Sequence, residues 1–180
     1  MHKVLVIVPF PMSEKNRDQR RDQLNSVHLG SDISFEFESV RVAPKNYVSQ
    51  YDMVLADVGI MEAGLNAQER GFSAVCIDTM SDSGVAALRS VLNIPVIGPG
   101  RSSILTALMF GDRFSIIAMW GHWNHLYAKT LKDLKLSDHC ASIRSIDMQP
   151  DNQGLLGGKE EDVFPLLLSA AKQCIEEDGA

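Results

Sequence analysis

The sequence has few cysteines, and they do not pair. Of its 180 residues only three are cysteine, at positions 76, 140 and 174, and no two form a Cys-x-x-Cys motif. This spacing excludes a disulfide framework and a cysteine-based zinc site. His122 and His125 lie close together, but neither a carboxylate nor a cysteine stands beside them at ligand spacing. We therefore expect no bound metal.

Runs of positive charge and long apolar runs are also missing. Lys and Arg total 17 against 23 Asp and Glu, the net charge is −6, and the basic residues do not cluster. A nucleic-acid partner is thereby disfavoured, because it requires a basic surface. The apolar run at residues 3–8 is too short for a signal peptide, and no stretch approaches membrane-spanning length. We expect a soluble, cytoplasmic protein that does not bind a membrane.

What the sequence does contain is a regular alternation of strand-like and helix-like segments, with 45% hydrophobic residues, enough for a sizeable core. The continuous apolar run at residues 3–8 is typical of a strand buried on both faces. Strands are predicted at residues 3–8, 34–42, 73–78, 95–98, 114–119 and 141–146. Helices are predicted at residues 47–70, 83–93, 104–110, 125–134 and 157–177, the last containing Pro165 as a kink or a second start.

This alternation predicts an α/β fold with parallel sheets. The pattern restarts near Pro95, which predicts two similar halves, residues 1–94 and 95–180, facing each other across a cleft. We expect residues 3–8 and 73–78 in one sheet, and residues 95–98, 114–119 and 141–146 in another. The ending Asp178-Gly179-Ala180 has the form of a connection into a strand, so we expect the last strand or strands of the second half to be missing from this chain.

The strongest functional signal is the segment from Thr79 to Gly84, where a buried strand runs into a loop of hydroxyl and acidic residues. Ligands of open α/β sheets bind beyond the carboxyl ends of the strands. We predict that Thr79, Met80, Ser81, Asp82 and Ser83 contact the substrate, with Asp82 as helix N-cap and the loop amides binding an anion. In the simpler alternative, Ser81 or Asp82 only caps the helix and Thr79 only turns the chain.

Three further segments follow strands. Ser102 and Ser103 come after a Gly-Pro-Gly turn and either cap a helix or donate hydrogen bonds to a ligand. Trp120 either forms a pocket wall or packs within an aromatic loop. Arg144 is a candidate clamp for a substrate carboxylate, or a surface arginine. Cys76 lies inside a strand, where burial raises the pKa of a thiol, so we expect it to be inert.

Together these segments resemble the aspartate/glutamate/hydantoin racemase superfamily. The resemblance is clearest over residues 71–117 and follows the family order through residues 71–78, 82–84, 88–89, 94–98 and 114–117. The family's usual loop reads Cys-x-x-Asp-Pro-Gly, and this chain has Thr79-Met80-Ser81-Asp82-Ser83-Gly84. The turn at residues 8–11 resembles the family's first substrate loop, with Phe10 where an Asn is common.

The resemblance implies catalysis without pyridoxal phosphate, metal or any other cofactor. Such racemases use two cysteines, one from each half, so that one removes a proton and the other returns it from the opposite face. Thr79 stands at the first cysteine position, and its hydroxyl is too weakly acidic to act as that base unaided. The second cysteine is expected on a strand just after Ala180.

The leading hypothesis is a racemase or isomerase acting on a small carboxylate, a ureido acid or a hydantoin-like ring, in a homo-oligomer. One alternative is a hydrolase or lyase of the same fold that uses Thr79 or a serine. A second alternative is a non-catalytic protein that binds a small acid or amide.

Overall fold

A computed structural model describes residues 1–27, 30–149 and 160–180. The chain forms two compact units, Met1–Pro99 and Gly100–Ala180. Both contain parallel strand pairs connected through helices. The predicted α/β class with parallel sheets is confirmed. Within the described ranges, no helix is both long enough and apolar enough to cross a bilayer.

The first unit is a four-stranded parallel sheet with helices between successive strands. Its strand order is β2-β1-β3-β4, so β1 and β3 are the central strands. The elements are β1 (His2–Val8), α1 (Glu14–Asp22), β2 (Ile33–Ser39), α2 (Gln50–Gly64), β3 (Ala74–Ile77), α3 (Val85–Val91) and β4 (Val96–Ile97).

β1 is buried on both faces, as its uninterrupted apolar run predicts. On one face Leu5 and Ile7 pack in the main core with Ile60 of α2 and Leu88 of α3. On the other face Val6 and Val8 pack in a smaller cluster around Phe37. Because both faces of the sheet are covered, its backbone is held firmly and its carboxyl edge gives a fixed platform for loops.

The strand at residues 95–98 was expected in the second sheet, and that expectation is wrong. Val96 pairs with Val75 and Ile97 pairs with Cys76, both in parallel register, so β4 is an edge strand of the first sheet. The cause is the short α3 crossover, which returns the chain to the side of β3. The sequence pattern identified a strand, but its sheet is decided by this long-range pairing.

Helix α2 has a different buried face from the one its large apolar residues predict. Val54, Val58 and Leu65 are about half exposed, whereas the residues buried in the core are Ala56, Ile60 and Gly64. The small residues allow the helix backbone to approach the core: a Cβ on Gly64 would lie 2.8 Å from a methyl of Leu88. Helix α1, in a segment that we did not predict to be helical, begins with Ser13 as N-cap.

The second unit contains a two-stranded parallel sheet, β5 (Phe114–Ala118) paired with β6 (Cys140–Ser145). Its helices are α4 (Pro99–Ala107, beginning at the unit boundary), α5 (Asn124–Leu134) and α6 (Glu160–Glu176), which continues through Pro165 as one helix. Ile104, Phe114 and Leu131 form its core cluster. Residues 157–159 of the predicted last helix lie outside the described residues. The expectation of a further strand after Ala180 stays a prediction.

Candidate active site

The loop that follows β3 carries three hydroxyl groups in a row. Asp78 still bonds to the sheet, its N–H donating to the carbonyl of Ile7 at 2.9 Å, and Thr79 is therefore the first residue past the carboxyl edge. Its Oγ1 lies 3.2 Å from Oγ of Ser81, and Oγ of Ser81 lies 2.9 Å from Oγ of Ser83. Ser83 is buried, whereas Thr79 and Ser81 are half-buried. The sequence thus correctly placed Thr79 at a strand tip.

The N-cap of helix α3 is Gly84, so the prediction that Asp82 is its N-cap is wrong. Gly84 adopts a left-handed conformation with φ of +72°, and a Cβ there would lie 2.5 Å from Cγ2 of Ile60. The Gly84 N–H donates to Oδ1 of Asp57, from α2, at 2.7 Å. The helix start is therefore capped by a carboxylate of the protein itself, which takes the place that we had assigned to a substrate anion.

Asp82 has a different function from capping. Its φ is +53°, and its carboxylate lies against Gly98 at the end of β4, where a Cβ would be 2.4 Å from Oδ1. The Asp82 N–H donates to the carbonyl of Thr79 at 3.3 Å. The Ser81 N–H lies 3.5 Å from Oγ1 of Thr79, so three of the four amides of residues 81–84 already have acceptors within the protein. The side chain hydroxyls, rather than the amides, are the loop's polar groups that remain for a ligand.

Arg20 neutralises a carboxylate at this edge. Its Nε and Nη2 donate to Oδ2 of Asp78 at 3.0 and 2.5 Å, and its Nη1 donates to Oε1 of Gln23 at 3.0 Å. Arg20 comes from α1 and lies 58 residues before Asp78 in the chain. Sequence reasoning missed this pair because no local pattern connects the two residues. The sequence shows arginines soon after the first strand, but nothing in it indicates which carboxylate they pair with.

The turn after β1 lies at the same edge, because β1 is the neighbour of β3 in the sheet. Phe10 is half-buried and packs against the cluster of Val6, Val8 and Phe37. The Tyr47 hydroxyl donates to the carbonyl of Pro9 at 2.5 Å and so fixes this turn. Burial, with a smaller contribution from Asp52, raises the pKa of Tyr47 well above its usual range, so the phenol stays protonated and keeps donating.

Of the other candidates in this unit, Met80 is 37% exposed and lies within the loop. Cys76 is half-buried, and burial together with the charges of Asp78 and Asp82 raises the pKa of its thiol. The prediction that Cys76 has a raised pKa is confirmed, and a protonated thiol is a poor nucleophile.

Three of the predicted site residues of the second unit, Ser102, Ser103 and Trp120, lie in α4 and in the segment after β5. Ser102 and Ser103 lie within α4, which begins at Pro99, so the alternative in which they cap the helix is wrong. Trp120 follows β5, and the centroid of its ring lies 4.3 Å from that of the His122 ring and 6.2 Å from that of the Trp123 ring. This packing fits the aromatic-loop alternative, and contact of Trp120 with a substrate stays a prediction.

Arg144 clamps carboxylates of its own chain. Its Nε and Nη2 donate to Asp178 at 2.6 and 2.8 Å, and Nη2 also donates to Glu177 at 2.7 Å. These acids follow α6 and compensate the charge of the guanidinium. Arg144 was predicted as a clamp for a substrate carboxylate, and we omit it from the proposed site because its charge is already neutralised. In the described ranges no group of three or more His, Cys, Asp or Glu is arranged to hold a metal ion.

Several known proteins are similar to this chain. A family model described as Asp/Glu/Hydantoin racemase matches residues 21–180. The chain is 27% identical to a hydantoin racemase of Pseudomonas sp. (strain NS671) over 83% of its own length and 59% of that protein. It is 26% identical to a hydantoin racemase of Rhizobium meliloti over 72% of its own length and 52% of that protein. It thus spans between half and three fifths of these relatives.

Among solved structures, allantoin racemase from Klebsiella pneumoniae superimposes with a TM-score of 0.85 at 22% identity. The match covers 99% of this chain and 71% of that protein. At this identity the likeness shows a shared fold.

Proposed function

This chain belongs to the Asp/Glu/hydantoin racemase family, and from that premise we propose that it is a cofactor-independent isomerase of a small hydantoin-like ring. The observation that carries the proposal is the hydroxyl row of Thr79, Ser81 and Ser83 at the carboxyl edge of β3. It occupies the loop that resembles the family's Cys-x-x-Asp-Pro-Gly segment. Thr79 stands at the position of the first catalytic cysteine.

The choice of a ring amide over a carboxylate rests on the relatives. Relatives of this chain carry the names hydantoin racemase and allantoin racemase, and allantoin itself contains a hydantoin ring. We accordingly favour the hydantoin-like ring among the three substrate classes considered from the sequence.

Thr79 takes a role that suits a hydroxyl. A threonine hydroxyl does not lose its proton near neutral pH, so it replaces a catalytic thiolate neither as base nor as unaided nucleophile. It does form hydrogen bonds to a substrate carbonyl. We propose Thr79, Ser81 and Phe10 as substrate contacts in the first unit, with Met80 at their rim. The buried Ser83 positions Ser81 from within the loop. Ser102, Ser103 and Trp120 belong to the second unit, and their contact with substrate stays a prediction, as does a homo-oligomeric state.

The proposal is tested by proton exchange at the ring carbon of allantoin. The protein is incubated with allantoin in deuterated water, and the loss of the ring C–H signal is followed by ¹H NMR against a protein-free blank. We expect the signal to disappear faster with protein than in the blank, without ring opening. Ring-opened product would instead identify a hydrolase of the same fold. Binding of allantoin without any exchange would identify a non-catalytic binding protein, and both results contradict the proposal.

A further inference from the structure

The hydroxyl row has a direction that follows from burial. Ser83 is 3% exposed, and burying its hydroxyl proton without an acceptor would cost free energy. Among the contacts that the structure describes, the acceptor within reach of Ser83 is Oγ of Ser81, at 2.9 Å. Each hydroxyl has one proton and two lone pairs, so Ser81 accepts from Ser83 and keeps its own proton for another acceptor.

That second acceptor is Thr79. Oγ of Ser81 lies 3.2 Å from Oγ1 of Thr79, and the backbone N–H of Ser81 points at the same oxygen over a longer distance of 3.5 Å. With two donors from Ser81 directed at it, Oγ1 of Thr79 is the acceptor of this pair. Its lone pairs are therefore used inside the loop, and its proton remains for a group outside the loop.

We infer that Thr79 is a hydrogen-bond donor to a ring carbonyl oxygen of the substrate, with its direction set by Ser83 through Ser81. The inference rests on the proposed function and deepens it, because it names the substrate group that the loop recognises: an uncharged carbonyl acceptor. It also makes Thr79 a poor nucleophile, since an oxygen that accepts hydrogen bonds from Ser81 has less electron density to donate to a substrate carbon. A hydrogen bond of this kind strengthens whenever the carbonyl oxygen gains negative charge.

Charges around the loop suit a donor at this position. The carboxylate of Asp78, the residue before Thr79, accepts two bonds from Arg20 and is neutralised by it. The carboxylate of Asp82 lies against Gly98 at the end of β4. A substrate carbonyl oxygen at Thr79 therefore accepts from the Thr79 hydroxyl, and the neighbouring Asp78 carboxylate, neutralised by Arg20, does not repel it.

The test exchanges atoms on both sides of the proposed bond. Dissociation constants are measured by calorimetry for hydantoin and for its 2-thio and 4-thio analogues, because a thiocarbonyl sulfur is a weaker acceptor than oxygen. The proteins compared are the unmodified chain, Thr79→Val, Thr79→Ser and Ser83→Ala. Ser90→Ala is the matched control, since Ser90 is an exposed hydroxyl of α3 that donates to the carbonyl of Ala87.

One thio analogue should bind the unmodified chain more weakly than hydantoin by about two- to tenfold, the range of a single neutral hydrogen bond. Thr79→Val should weaken the binding of hydantoin by a similar factor and should remove the preference for the oxygen ligand over the thio analogue. Thr79→Ser and Ser90→Ala should keep the preference, and Ser83→Ala should reduce it because Ser81 is no longer held in one orientation.

Two failures are distinguishable. If hydantoin binds and Thr79→Val retains the oxygen preference of the unmodified chain, the donor inference is wrong and the proposed function stands. If the unmodified chain binds neither hydantoin nor its analogues, the proposed function itself is contradicted. Far-UV circular dichroism of each variant confirms that a loss of binding is not a loss of fold.

Discussion

Replacing Gly84 by alanine should destabilise the first unit strongly, because the site loop depends on a close backbone approach at this residue. The φ of +72° costs an alanine about 1–2 kcal/mol on its own. The added Cβ would also lie 2.5 Å from Cγ2 and 2.9 Å from Cβ of Ile60, a fully buried residue of α2. Insertion of a methyl into a packed core costs typically 1–3 kcal/mol more.

Gly71 provides the matched control for the conformational cost. Its φ is +82°, similar to that of Gly84, but a Cβ there would have no heavy atom within 4 Å. Gly71→Ala therefore carries the backbone cost alone, and the free energy of unfolding should differ between the two variants by about 1–3 kcal/mol.

Native-state hydrogen exchange of the Leu5 and Ile7 amides measures this difference in the first unit, because both residues are fully buried in its central strand β1. Equal protection of these amides in Gly84→Ala and Gly71→Ala would refute the steric argument. In that case Ile60 moves aside without cost, and the contact between α2 and Gly84 does not hold the loop.

Three other perturbations give separate tests. Arg20→Gln should lower the rate of ring-proton exchange, because it leaves the charge of Asp78 uncompensated beside Thr79. The double variant Arg20→Gln with Asp78→Asn should recover part of that rate. No recovery would contradict the electrostatic role of Arg20. Tyr47→Phe removes the hydrogen bond to the Pro9 carbonyl and should lower the free energy of unfolding, measured in urea, by about 1 kcal/mol. Tyr51→Phe is the control, because Tyr51 is 74% exposed and its change should have no measurable effect. Equal effects of the two changes would contradict the role of this hydrogen bond. The hydrogen bonds that Asp178 accepts from its arginine and serine partners lower its pKa to about 2, below the ordinary value near 3.9. The stability that Asp178 contributes should therefore be present above about pH 4 and be lost as the pH falls towards 2. In Asp178→Asn the temperature of thermal unfolding should depend less on pH in this range. An unchanged pH dependence would contradict the pairing.

Much of the fold could be predicted because its signals are local. The uninterrupted apolar run of β1 and the run before Thr79 each specify a strand with both faces covered, and the structure has both at the centre of the sheet. Sheet membership of β4 was not predictable in this way. Its two residues, Val96 and Ile97, carry strand propensity but no information about their partner, and only the short α3 crossover assigns them to β3.

The buried face of α2 shows a second limit. Its large residues Val54 and Val58 repeat at helical spacing, which predicts that they face the core, yet both are about half exposed. The stripe that packs inward contains Ala56 and Gly64, where small side chains allow a close approach of the backbone. Hydrophobicity alone selects the face with the larger apolar side chains. It does not account for how closely the helix backbone can approach the sheet when the side chains between them are small.

The candidate site divides in the same way. Thr79 and Ser83 stand within a few residues of each other after a predicted strand, so the sequence identified them together. Arg20, Asp57 and Tyr47 complete the site's surroundings through partners 58, 27 and 38 residues away along the chain. Only the folded sheet brings these residues to one edge.

The most direct test of the central claim, that the loop after β3 is the substrate site, is a map of allantoin binding by amide chemical-shift changes in ¹⁵N-labelled protein. We predict that within the first unit the largest saturable shifts occur from Thr79 to Gly84 and at Phe10, with none of comparable size at the groove lined by Arg17, Asp18 and Glu38. Saturable shifts confined to that groove, with the amides of the loop unchanged, would contradict the site and the function proposed from it.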